Sequence, residues 1–128
     1  MKLLKHIALG LFLAVSSVGV SSVAFAESDA GRISYEPAEA IDLVVSKIKE
    51  AEEAIKAGGD NMDIANIIKE AKDYSKEINA NDNVDVRRQR ANSNLTKARS
   101  LAKKGKLEES GKLLEEAVEK FAGLKAHL

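Results

Sequence analysis

The chain has 128 residues, with 20 Lys or Arg, 20 Asp or Glu and no Cys. The absence of cysteine excludes disulfides, thiolate metal sites, a lipid-modified cysteine anchor and covalent c-type haem attachment. The balanced charge gives no strong attraction to nucleic acid, so no nucleic-acid partner is expected.

The first 26 residues have the three parts of a secretory signal peptide. Lys2 and Lys5 form a basic start, residues 7–15 are almost wholly apolar, and the segment ends in Ala24-Phe25-Ala26. This pattern predicts cleavage after Ala26 and a periplasmic or secreted product that no longer contacts the membrane. An uncleaved membrane anchor is the alternative, because residues 6–26 contain no Asp, Glu, Lys or Arg.

A polar lead, residues 27–36, precedes the first half of the predicted domain. The first helix begins at Pro37, where a missing N–H costs nothing, and it ends at the pair Gly58-Gly59. Asp60 or Asn61 can cap the second helix, which ends by the Asn- and Asp-rich residues 79–83.

The second half of the domain repeats this plan. A third helix with a weaker apolar stripe is predicted from about Val84 to Lys104, where Gly105 closes it, and the fourth begins near Leu107. The predicted bundle domain comprises residues 37–128. The three-and-four spacing of its apolar residues predicts a core that includes Ile48, Ile67, Ile68, Leu95, Leu114, Val118 and Phe121.

The two halves also resemble each other in sequence. Residues 67–71 match residues 113–117 at a shift of 46, and both segments follow a glycine turn. We therefore predict an all-α fold, an antiparallel four-helix bundle made of two helical hairpins. A helical solenoid is less consistent with the sequence, because tetratricopeptide repeats have a period of about 34 residues and about three are needed for a continuous core.

A strongly basic segment spans residues 84–106, which contain eight Lys or Arg and a single Asp. Arg87, Arg88 and Arg90 lie at its start and are candidate partner-binding residues for an anionic ligand or protein. The alternative interpretation is a solvated helix face without a partner.

Acidic residues offer a second candidate site. Glu115, Glu116 and Glu119 lie close together near the chain end, and His127 is the only histidine outside the predicted signal peptide. Carboxylate oxygens and one imidazole can bind a divalent metal ion. Surface carboxylates paired with lysines are the alternative.

Nothing in the sequence predicts an enzyme. Helical Glu-x-x-His pairs, which build di-iron centres, are absent, as is any Gly-rich phosphate loop. His127 is also the only imidazole available to activate a serine or threonine, so no catalytic residues are predicted.

Three features resemble the small metal-binding protein family of periplasmic four-helix bundles. They are Lys49 to Ile55 before Gly58, the pattern Ala98-x-x-Leu101-Ala102-x-x-Gly105, and the following apolar residues from Leu113 to Leu124. The resemblance implies an exported bundle that binds or sequesters divalent metal ions. That family uses many histidines, whereas this chain has Lys, Glu and Asn on the corresponding faces.

A second resemblance is to periplasmic b-type cytochromes, which are four-helix bundles of similar length. Residues 101–109 are similar to their third turn, and His127 lies near the position of their haem-ligating histidine. The first helix has no methionine, since Met62 lies at the start of the second helix. The alternatives to metal binding are therefore a haem-less relative of these cytochromes and an interaction module that uses the basic helix face.

Overall fold

The computed structural model describes residues 34–128, which form four α-helices and one 3₁₀ turn. Their bounds are α1 Pro37–Lys56, α2 Asn61–Ser75, α3 Asp82–Lys103, α4 Leu107–Gly123 and the 3₁₀ turn Leu124–His127. The predicted signal peptide and residues 27–33 of the predicted polar lead lie outside the described residues.

The four helices pack in a closed ring. Each helix packs against the next one in the chain, and α1 also packs against α4. Because the connections are short, consecutive helices run antiparallel. The predicted all-α four-helix bundle is confirmed for the part of the chain that the structure describes. No helix in this part combines the length and the apolar character needed to cross a bilayer.

The helix starts are set by proline and by side-chain caps. Pro37 occupies the first turn of α1, as predicted. At the start of α2, the Asp60 carboxylate accepts hydrogen bonds from the backbone N–H groups of Met62 and Asp63 at 3.0 and 3.3 Å. Asn81 caps α3 by accepting from the N–H of Val84 at 2.9 Å, so α3 begins two residues before the predicted start.

Both hairpins turn through a glycine with a left-handed backbone. Gly58 has a φ of 74° and Gly105 a φ of 80°. In each turn the glycine N–H and the next N–H bond back to the last carbonyl groups of the helix, at 2.9–3.1 Å. This is a Schellman motif, which needs a residue without a Cβ atom at the turn. The predicted role of these glycines as helix stops is confirmed.

The core lies along the axis of the ring. Five of the seven predicted core residues are buried, namely Ile48, Ile68, Leu95, Leu114 and Phe121. Ile67 and Val118 are only half-buried against the core, because each lies at the edge of its helix's apolar stripe. Tyr35, placed by the sequence in the polar lead, also packs against this core.

The Gly58 turn provides a stability test. We expect Gly58→Ala to lower the free energy of unfolding by about 1–2 kcal/mol, because an added Cβ disfavours the left-handed backbone although the surrounding space is open. The control is Gly123→Ala, which also has open space but a φ of −64°. It should be neutral or stabilising by about 0.5–1 kcal/mol. Urea titration followed by circular dichroism measures both values, and equal effects would contradict the explanation.

Candidate functional site

The positive charge of α3 is largely uncompensated. Arg88 pairs with Asp85 at 2.6 Å, and this hydrogen bond lowers the pKa of the Asp85 carboxyl group. The seven other cationic side chains of residues 84–106 have no carboxylate within 4.0 Å among residues 34–128; they are Arg87, Arg90, Lys97, Arg99, Lys103, Lys104 and Lys106.

A cavity of about 310 Å³ lies where the first half of α3 faces the end of α4 and the 3₁₀ turn. Its lining is mostly cationic and consists of Arg87, Arg90, Glu119, Lys120, Gly123, Leu124 and His127. We call it the basic cavity. It contains three permanent cations, one imidazole and one carboxylate.

Asparagines hold one side of the basic cavity. The Asn83 amide oxygen accepts from Arg87 Nε at 3.1 Å, and its amide nitrogen lies 3.3 Å from His127 Nδ1. Asn81 donates from Nδ2 to the backbone carbonyl of His127 at 3.0 Å. Because Asn81 also caps α3, one side chain both starts this helix and fixes the 3₁₀ turn against it.

A third asparagine holds the other side. Asn94 is only 7% exposed and faces α4. Its amide nitrogen donates to Glu116 Oε2 at 3.1 Å and to the carbonyl of Leu113 at 3.3 Å, while its amide oxygen accepts from Lys120 Nζ at 3.0 Å. All the usual partners of a buried amide are therefore present, and the position of Lys120 is fixed from inside the bundle.

The three predicted partner-binding arginines lie in two different surroundings. Arg87 and Arg90 line the basic cavity. Arg88 does not line it, since it pairs with Asp85 and its side chain is only 19% exposed. Two of the three candidates thus belong to one site, and the third is neutralised beside it.

The four predicted metal ligands lie in three different surroundings. Glu119 and His127 share the basic cavity, Glu116 accepts a hydrogen bond from Asn94, and Glu115 lines a separate groove between α1 and α4. Within residues 34–128, no three His, Cys, Asp or Glu side chains are grouped closely enough to hold a metal ion. The pair in the basic cavity also has three cations beside it, which oppose a metal cation. Metal binding stays a prediction.

The α1/α4 groove has a volume of about 320 Å³ and a mixed lining, which consists of Glu52, Ile55, Lys56, Leu107, Glu108, Gly111, Lys112 and Glu115. Burial, and secondly the nearby negative charge of Glu115, raise the pKa of Glu52 above that of an ordinary glutamate. The lysines on its rim balance most of the acidic charge, so this groove has no strong preference for either sign.

Sequence reasoning missed the asparagines and Lys120. The sequence signal for Asn81 and Asn83 is the Asn- and Asp-rich run of residues 79–83, which predicts a connection between the two hairpins. Asn94 lies three residues after Ala91 and four before Ala98, so its spacing places it on the buried stripe of α3, but its polar type gave no reason to include it in the predicted core. Contacts between helices decide these roles, and helix periodicity alone does not fix them.

Comparison of the chain with family models, with curated proteins and with solved structures found no match in any of the three. The resemblances to small metal-binding proteins and to b-type cytochromes therefore stay predictions.

The Asn94 network provides a second stability test. Asn94→Ala removes bonds to two charged groups and leaves a small void between α3 and α4, so we expect a loss of about 1–2 kcal/mol in the free energy of unfolding. Ser93→Ala, at the exposed neighbouring position, should change it by less than about 0.5 kcal/mol. Denaturant unfolding compares the two variants, and equal stability of both would show that the network contributes nothing.

Glu52 provides a test by pH. A carboxyl group whose pKa is raised on folding binds protons more strongly in the folded state, so its contribution to stability falls as the pH rises from the ordinary glutamate range through the raised pKa. We expect Glu52→Gln to remove this fall, making the variant more stable than the wild type at pH 7 but not at pH 4. Glu53→Gln, an exposed neighbour, is the control. A constant difference across the pH range would contradict the assignment.

Proposed function

We propose that the protein is an exported, non-catalytic binding module that docks the basic face of α3 against an acidic protein partner. The term basic face is used for the solvent side of α3 and of the turn that follows it, where the seven uncompensated cationic residues between Arg87 and Lys106 are spread around more than half of the helix circumference. Export rests on the leader-like first 26 residues. The docking role rests on one observation, namely that only one of the eight cationic side chains of residues 84–106, Arg88, has a carboxylate partner within the described residues.

The charge distribution supports a local docking surface. If the predicted signal peptide is removed, the remaining chain has 18 basic and 20 acidic side chains. The overall negative charge gives no general attraction to polyanions. The positive charge is instead concentrated locally, because the residues from Arg87 to Lys103 extend about 25 Å along one helix. A surface of that length matches an acidic segment of a protein and steers its approach electrostatically.

In the first hairpin, most lysines pair with carboxylates. On α1, Lys47 lies 2.9 Å from Glu70 of α2 and 3.1 Å from Glu50. The hydrogen bond to Glu70 is the main cause that raises the pKa of Lys47, while burial opposes it. Four of the six lysines of the first hairpin, Lys47, Lys56, Lys69 and Lys76, thus pair with carboxylates, compared with one of the eight cations of residues 84–106. This difference supports an external partner for the cations of α3.

The test uses residues 27–128 and a fluorescent poly-glutamate peptide of about 20 residues, with binding followed by anisotropy. We expect the association constant to fall steeply with salt, because exposed charges are screened beyond about 10 Å at 0.1 M ionic strength. The variant Lys97→Gln/Lys103→Gln/Lys104→Gln should bind about tenfold more weakly, a loss of about 1.4 kcal/mol.

The matched control removes two lysines from α2 and one from its C-cap, as Lys69→Gln/Lys72→Gln/Lys76→Gln. Two of these lysines pair with Asp73, so the net charge changes equally while the basic face stays intact. Equal weakening by both triple variants would contradict a specific face. Titrations with nickel, zinc and calcium, and with haem, test the metal and cytochrome alternatives on the same sample. Tight binding of a metal ion without peptide binding would replace this proposal by the metal one.

A further inference from the structure

We propose that the basic cavity is a specific binding site for a phosphate group, either as free hydrogen phosphate or on a small ester. The basic cavity shares Arg87 and Arg90 with the basic face, but the phosphate proposal stands on the geometry of the cavity and does not rest on the docking of a protein partner.

Two of the three cations of the basic cavity are oriented by neutral groups. Arg87 is held by the amide of Asn83, and Lys120 by the amide of Asn94. An amide oxygen fixes the direction of a cation without cancelling its charge, whereas a carboxylate cancels it, as Asp85 does for Arg88. The charge of the cavity therefore stays available to a ligand.

The orientation also leaves donors unused. Arg87 uses Nε for Asn83, so its two terminal nitrogens have no partner among the described residues. Arg90 has no hydrogen-bond or salt-bridge partner there either. Two guanidinium groups on adjacent turns of α3 match the oxygens of a phosphate group, which arginine binds through paired N–H groups.

Charge and size favour a compact dianion. Three permanent cations and one carboxylate give the lining a charge of +2 with His127 neutral. A phosphate group with two negative charges neutralises this surplus. The cavity of about 310 Å³ is ample for one such group, and its cations come from two helices that converge on the same space.

Glu119 gives the site a basis for selectivity. It is the only carboxylate of the lining and forms no ion pair within 4.0 Å among residues 34–128. Hydrogen phosphate and the singly protonated form of a phosphate monoester have a proton that a carboxylate can accept, whereas sulfate at neutral pH has only acceptors and is repelled. The cavity should therefore prefer phosphate to sulfate, although the two ions have the same shape.

The experiment is isothermal titration of residues 27–128 with inorganic phosphate, sulfate, glycerol 3-phosphate and succinate at low salt and pH 7. We expect phosphate to bind with a Kd below about 1 mM, at least tenfold more tightly than sulfate or succinate. Arg90→Gln should weaken phosphate binding at least tenfold, while Lys49→Gln, an exposed lysine of α1, removes the same charge without effect. Glu119→Gln should bring sulfate within about threefold of phosphate.

The outcomes are distinct. Stronger binding of inorganic phosphate than of the ester identifies the free ion as ligand, and the reverse identifies the ester. Absence of saturable binding by both probes up to about 10 mM, equal affinity for sulfate, or equal weakening by Arg90→Gln and Lys49→Gln would each overturn the proposal. Poly-glutamate binding is measured separately with the lysine variants of α3, so either proposal can fail while the other stands.

Discussion

The third helix is attached to the bundle through neutral amides, and the chemistry of the protein's surface depends on this. Apart from Leu95, the buried apolar side chains of α3 are small, namely Val84, Ala91, Ala98 and Ala102. Asparagines add bonds to the neighbouring elements: Asn92 accepts from Ser75 of α2 at 3.1 Å, Asn94 bonds to α4, and Asn81 bonds to the 3₁₀ turn. Because amides have no charge, these bonds secure α3 without giving its cations a carboxylate partner, and within residues 34–128 only Arg88 of α3 has one.

This attachment has an energetic cost that the rest of the fold offsets. A buried amide contributes to stability only when its partners are present, and losing one of them costs more than the bond contributes. The apolar side chains around the interface, including Leu114 and Phe121, are fully buried and supply the driving force for packing. The polar contacts between α3 and α4 then fix which residues face each other, as satisfied buried polar groups do in other helical assemblies.

Local chemistry explains which parts of this structure were predictable from the sequence. Pro37, Gly58 and Gly105 act through the backbone of their own segment, so their roles followed from residue type and position. The separation of Glu115 from Glu119 could not be predicted in this way. Residues four apart share a helix face, but α1 borders this face of α4 on one side and α3 borders it on the other. The apolar stripe similarly predicted both Ile67 and Ile68 as buried, but only Ile68 is buried, because Ile67 lies at the edge of the stripe.

The positions of the carboxylates distinguish the requirements of folding from those of the proposed binding of an anionic ligand. Ion pairs such as Lys47 with Glu70 show that this bundle accommodates acidic partners between helices, and exposed pairs of this kind contribute little to stability. Acidic residues at exposed positions of α3 would therefore be compatible with the same packing, yet none occurs from Val86 to Leu107. Folding alone gives no reason for that absence. A surface that must keep its positive charge for a ligand does give one, and the amides that hold Arg87 and Lys120 are consistent with the same requirement.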